Sequence, residues 1–99
     1  MGFDLENGVD HVIGLGLADP AKLASTGWSN GAILTTWMTL KYPDMFKVAA
    51  PGAGDINWTS DYGTCRFGVT FDQSYFGGAP WDDMNGKHYN EWYIENSPI

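Results

Sequence analysis

Thr26-Gly27-Trp28-Ser29-Asn30-Gly31-Ala32 constrains this chain more than any other stretch, because it carries the spacing Gly-x-Ser-x-Gly. A serine in that pattern stands on a sharp turn between a strand and a helix, a nucleophile elbow, with its hydroxyl outside the bend. Such a turn asks for a strained backbone at Ser29, and for glycine at 27 and 31, where a Cβ would collide across the bend. It also sets Ser29 at the positive end of the following helix. Free backbone N–H groups there can hold a developing oxyanion, and Asn30 would supply one of them.

The flanking sequence is the kind this turn requires. Before it, Leu23-Ala24-Ser25-Thr26 is a short run of small side chains bounded by turn signals, suited to a strand buried between helices. After it, Ala32 to Lys41 contains no glycine or proline and is apolar over most of its circumference, which predicts a helix buried on several sides and ended by Tyr42-Pro43-Asp44. Phe46 to Ala50 is a second short strand candidate, closed by Pro51-Gly52-Ala53-Gly54. The result is a strand, turn, helix and strand unit of a parallel sheet. Upstream, Leu5, Val9, Val12 and Ile13 form one apolar stripe of a helix that Asp4 is placed to cap and that should stop near Gly14 to Gly16. Ala18-Asp19-Pro20 then reads as a turn.

Downstream, Asp55 is placed to cap a short helical turn through Trp58. Thr59 to Pro80 shows no sustained period. Its glycines and aromatics read as a folded surface excursion, a kind of loop that is often functional. Lys87 to Ile94 suits one or two helical turns before Asn96-Ser97-Pro98. Twelve acidic residues against five basic give a formal charge of −7 with no basic stripe, which disfavours a nucleic-acid surface, so no nucleic-acid partner is expected. No stretch approaches the ~20 apolar residues of a spanning helix, so a membrane is not expected as a partner either. The lone Cys65 has no disulfide partner and offers no zinc framework, so it reads as inert, and neither metal nor cofactor is expected.

Several segments together resemble the catalytic domain of the prolyl oligopeptidase family of serine peptidases, with its acylaminoacyl-peptidase and dipeptidyl-peptidase branches. They are Gly8-Val9-Asp10, Ala18-Asp19-Pro20, Gly27-Trp28-Ser29-Asn30-Gly31, Phe46-Lys47-Val48-Ala49-Ala50, Gly52-Ala53-Gly54 with Trp58, Tyr75-Phe76-Gly77-Gly78 with Pro80-Trp81, and the closing Ser97-Pro98-Ile99. The Gly-x-Ser-x-Gly turn is shared with many lipases and esterases. Its combination with Tyr-Phe-Gly-Gly-x-Pro-Trp and Ser-Pro-Ile is far more specific. The resemblance implies a partial α/β-hydrolase fold with an incomplete parallel sheet and flanking helices. It implies Ser29 as nucleophile, the Asn30 N–H as oxyanion donor, Gly27 and Gly31 as elbow glycines, and a peptide or acyl-peptide substrate. Ala32 departs from the further glycine common in the family. The family's catalytic Asp, His and oxyanion Tyr have no counterpart in these 99 residues, so the resemblance is to an internal fragment covering 1–99.

A serine hydroxyl is a weak nucleophile without an oriented base. Only His11 and His88 are present, and the family puts its base at neither; a surface or packing role is expected for both. Asp55 is expected to cap a helix rather than act as the acid. Gly14-x-Gly16 is explained by turn chemistry, and Asn57-Trp58-Thr59 is a chance glycosylation triplet. Three readings stay open: a serine peptidase, the same chemistry on ester or acyl-amide substrates, and a non-catalytic truncated piece. The isolated chain is expected to be inactive and, with sheet edges unpaired, poorly soluble.

Overall fold

The computed structural model describes residues 2–84 and 86–99, and the chain divides into two compact units, 1–54 and 55–99. The first is a partial α/β arrangement. Helix α1 (Gly2–Gly14) precedes strand β1 (Ala24–Trp28), helix α2 (Asn30–Lys41) and strand β2 (Val48–Gly52). β1 and β2 run parallel in a two-stranded sheet with Ala24 opposite Val48 and Trp28 opposite Gly52. The parallel pairing requires a crossover, and α2 is that crossover.

Both strands sit later than the sequence suggests. Gly27 and Trp28 still belong to β1, and β2 runs through Pro51 to Gly52 instead of closing at Ala50. Proline is tolerated because β2 has only one neighbour and the missing N–H costs no ladder bond. α1 begins at Gly2, so Asp4 lies in the first turn rather than at the cap, where its charge still favours the helix dipole. The helix ends as the glycines suggest. Gly16 has φ 75°, its N–H donates to the Ile13 carbonyl, and the Leu17 N–H donates to that of Val12, the two bonds of a Schellman motif.

α2 is the centre of this unit. Ala32, Ile33, Thr35 and Met38 are buried, and no residue from Gly31 to Thr39 is exposed. Ser25 Oγ donates to Thr35 Oγ1 at 3.3 Å, and the Tyr42 hydroxyl donates to Glu6 Oε2 at 2.6 Å, joining the end of α2 to α1. By contrast the α1 stripe forms but stays largely uncovered, with Leu5 and Val12 exposed. No residue of either strand is buried.

The second unit is helical where the sequence suggests a loop. α3 (Trp58–Thr64) leads to a π-helical turn (Gly68–Asp72), one turn of α4 (Gln73–Phe76), a hairpin of β3 (Asp83–Met84) and β4 (Lys87–His88), and α5 (Tyr89–Glu95). The elements of 59–80 are too short to show a period, and aromatic packing holds them. Tyr93 is fully buried, 4.0 Å from the ring of Phe76, and Tyr62 makes edge contacts with Trp81 and Tyr93. Gly77 takes the left-handed φ of 90° that ends α4. Gly78 lies so close to the Tyr89 ring that a Cβ would come within 3.0 Å of it, and its carbonyl accepts from the Tyr93 hydroxyl at 2.8 Å. Ser97 closes the unit. Its hydroxyl accepts from the Trp58 N–H at 2.9 Å and donates to the Tyr93 carbonyl at 2.6 Å.

Candidate functional site

The carboxyl end of the two parallel strands is where the backbone departs most from ordinary geometry. β1 runs out at Trp28, and Ser29 takes φ 55° and ψ −120° before α2 starts at Asn30. A non-glycine residue in that region costs on the order of 1–3 kcal/mol and persists only where its surroundings fix it. Three backbone bonds do so. The Ser29 N–H donates to the Gly52 carbonyl at 3.0 Å, extending the ladder to β2. The Ser29 carbonyl accepts from the N–H groups of Ala32 at 2.9 Å and Ile33 at 3.1 Å, opening α2.

Ser29 therefore begins the helix through its backbone alone. Its hydroxyl makes no capping bond, although serine at this position ordinarily caps. The residue is exposed. Asn30 and Gly31 occupy the first helical positions, whose N–H groups have no carbonyl to reach within the helix. No acidic residue lies in that first turn to neutralise the positive end. A hydroxyl that makes no capping bond and has no hydrogen-bond partner among the described residues, beside unsatisfied N–H groups, is an arrangement that can attack a carbonyl carbon and hold the oxygen that becomes negative.

The two flanking glycines have different reasons. A Cβ on Gly27 would run into the backbone carbonyl of Gly31, so the close approach of β1 to the start of α2 requires glycine at 27. At Gly31 a Cβ would meet nothing within 4 Å, so the expectation of a collision there is corrected. The contact that matters at the helix start lies one residue on. Ala32 is fully buried, and a Cβ on Gly54 would come within 2.5 Å of the Ala32 Cβ. Ala53, next to Gly54, is the second non-glycine residue with positive φ, at 52°. Thus each strand of the pair is followed directly by a non-glycine residue with positive φ, a feature without a local sequence signal at 53.

The remaining candidates fall outside this bend. His11 is an exposed residue in the last turn of α1. His88 is exposed in β4, with Nδ1 2.7 Å from Asp83 Oδ1, and that hydrogen bond and charge raise its pKa. Asp55 does not cap a helix. Asn57 does, its side chain accepting from the Ser60 N–H at 2.9 Å, because α3 starts at Trp58 where the sequence suggested a turn would end. The same bond gives Asn57 a structural role within its glycosylation-like triplet.

The second unit holds a group the sequence did not single out. Asp72 is completely buried, and neither carboxylate oxygen finds a donor among the described residues. Burial, and then the facing carboxyl of Asp61, push its pKa up to about 7. Two ionised carboxylates cannot hydrogen-bond each other; a proton between them can. Burial likewise raises the Cys65 thiol. Burial and Asp61 raise the carboxyl of Asp55.

Among the described residues no helix is long and apolar enough to cross a membrane. The pattern of the Prolyl oligopeptidase family fits residues 3–96. The chain is 37% identical over 78 residues to an acylamino-acid-releasing enzyme of Arabidopsis thaliana, an alignment that covers 73% of this chain and 10% of that protein. It is 53% identical over 36 residues to a poly(3-hydroxyalkanoate) depolymerase C of Paucimonas lemoignei, covering 36% of this chain and 9% of that protein. The chain thus spans about a tenth of the length of the curated relatives it matches.

Proposed function

The chain belongs to the prolyl oligopeptidase family, and from that premise we propose that Ser29 is the nucleophile of a serine-type peptidase of which these residues form an internal part of the catalytic domain. The observation that carries this reading is the bend at Ser29, φ 55° and ψ −120°, with the hydroxyl uncommitted and the first N–H groups of α2 beside it. A plain capping serine would show neither the strain nor the idle hydroxyl.

In this reading Ser29 Oγ attacks the carbonyl carbon of a peptide or acyl-peptide as a general base takes the hydroxyl proton. The carbonyl π pair moves to oxygen, and the Asn30 N–H stabilises the resulting oxyanion. Collapse breaks the C–N bond. The amine leaves with the proton the base had taken, and water then releases the acyl group from Ser29 by the same steps. No residue of this chain is assigned as base or as its orienting carboxylate. Without them the chain by itself is proposed to be inactive, since a lone serine retains little catalysis.

A fluorophosphonate probe tests the assignment. In the whole protein that contains these residues the probe should attach to Ser29 and Ser29→Ala should abolish labelling. The 99-residue chain alone should label no more than that variant. Labelling of the whole protein that survives Ser29→Ala would remove the assignment. A second reading, the same acyl-enzyme chemistry on esters, is favoured by the match to a polyester depolymerase. Turnover of acyl-peptides against esters of the same acyl group separates the two.

A further inference from the structure

The second unit gathers three potential ligands that the chemistry at Ser29 does not use. Asp61 lies on α3 and Cys65 follows it at the C-cap, four residues on and therefore on the same face. Asp72 ends the π-helical turn. That turn is drawn against α3 at Gly68, where a Cβ would come within 2.6 Å of the Tyr62 carbonyl oxygen. As a result one ligand atom from each of Asp61, Cys65 and Asp72 lies within 4.8 Å of the other two.

Proximity of acidic groups is common and by itself says little. Asp72 adds an independent observation: the side chain is completely buried, both its oxygens lack a donor, and the group it faces is a second buried acid. No ion pair among the described residues reaches it. A buried carboxylate left in that state is strongly unfavourable, and among the described residues no cation pairs with it to offset the cost. We propose that Asp61, Cys65 and Asp72 form a binding site for a zinc-class divalent cation, with water completing a four-coordinate shell.

The donor set selects the cation. One thiolate with two carboxylates suits a borderline ion that accepts sulfur, whereas calcium and magnesium require more oxygens and avoid sulfur. Two carboxylates and a thiolate carry three negative charges, so a divalent ion leaves one. Asp55 is exposed, and its carboxyl lies near that of Asp61, so it adds negative charge beside the site. On binding, the Sγ–metal bond forms as the thiol proton passes to solvent, and no electrons are transferred.

The test uses the full chain, freed of metal with a chelator and titrated with Co²⁺ and with Zn²⁺ against a chromophoric competitor. One equivalent should bind, and the cobalt form should show a thiolate charge-transfer band. Cys65→Ser should abolish that band. Asp72→Asn, which keeps the shape of the side chain and removes the buried charge, should fold as well as the parent and lose about tenfold or more in zinc affinity. His88→Gln should change neither. Absence of stoichiometric binding, or binding that survives both Cys65→Ser and Asp72→Asn, would overturn the proposal. So would stabilisation by acid with no response to metal, since Asp61 and Asp72 would then be holding a shared proton.

Discussion

Deleting the same hydroxyl at two serines should give opposite results, because one is built into a buried network and the other is idle. Ser97 is buried, accepts the Trp58 N–H at 2.9 Å and donates to the Tyr93 carbonyl at 2.6 Å. That carbonyl has no helical partner, because the Ser97 N–H turns to Ile94 instead. Ser97→Ala therefore strands a donor and an acceptor together. Each unpaired buried group costs about 1–3 kcal/mol, and with partial relaxation the loss should be about 2–4 kcal/mol. Ser29→Ala removes an exposed hydroxyl that makes no capping bond and keeps the Cβ, so the strain is unchanged and the loss should stay within about 0.5 kcal/mol. Urea unfolding at low protein concentration, followed by the near-ultraviolet dichroism of the aromatics around Tyr93, reads the first. The midpoint should fall with an unchanged slope. Exchange of the Trp58 amide hydrogen should accelerate in the same variant. A Ser97→Ala loss below about 0.5 kcal/mol, or a Ser29→Ala loss of equal size, would refute the reasoning.

Gly27→Ala should destabilise the first unit by more than about 3 kcal/mol, because its Cβ meets backbone rather than a movable side chain; retention of native far-ultraviolet dichroism and probe labelling would contradict this. Tyr93→Phe leaves the buried Gly78 carbonyl without its donor, and a loss of about 1–2 kcal/mol in urea unfolding is expected. His88 should titrate above the ordinary histidine range because the Asp83 carboxylate favours its charged form, and Asp83→Asn should bring the midpoint down in a proton-resonance titration. With its folded pKa raised, the pair contributes below the unfolded value and is lost as pH rises through the folded one, the opposite of a salt-bridged carboxylate. An unchanged midpoint in Asp83→Asn would remove that coupling.

The order of strand, bend, helix and strand was legible because each signal is local. Gly27-x-Ser29-x-Gly31 specifies a turn, the apolar run from Ala32 to Lys41 specifies a helix, and Pro43 ends it. The stop of α1 near Gly14 to Gly16 was legible for the same reason, while the Schellman bonds that close it came from the structure. β3 and β4 flank a local signal too, the Asn-Gly dipeptide of the sequence, which favours a two-residue hairpin connection. The helices between 58 and 76 had none of useful length.

What the sequence by itself determined is the position of the bend and the residue on it, since Gly27-x-Ser29-x-Gly31 between a short strand run and an apolar helix run is a local signal. Only the tertiary structure decided which glycine that bend requires, why Ala53 is strained as well, and that Asp72 is driven against Asp61 and Cys65 with no donor in reach. Those are contacts between segments distant along the chain. Burial and electrostatic cost depend on what surrounds a group in space, and neighbours in sequence do not fix that.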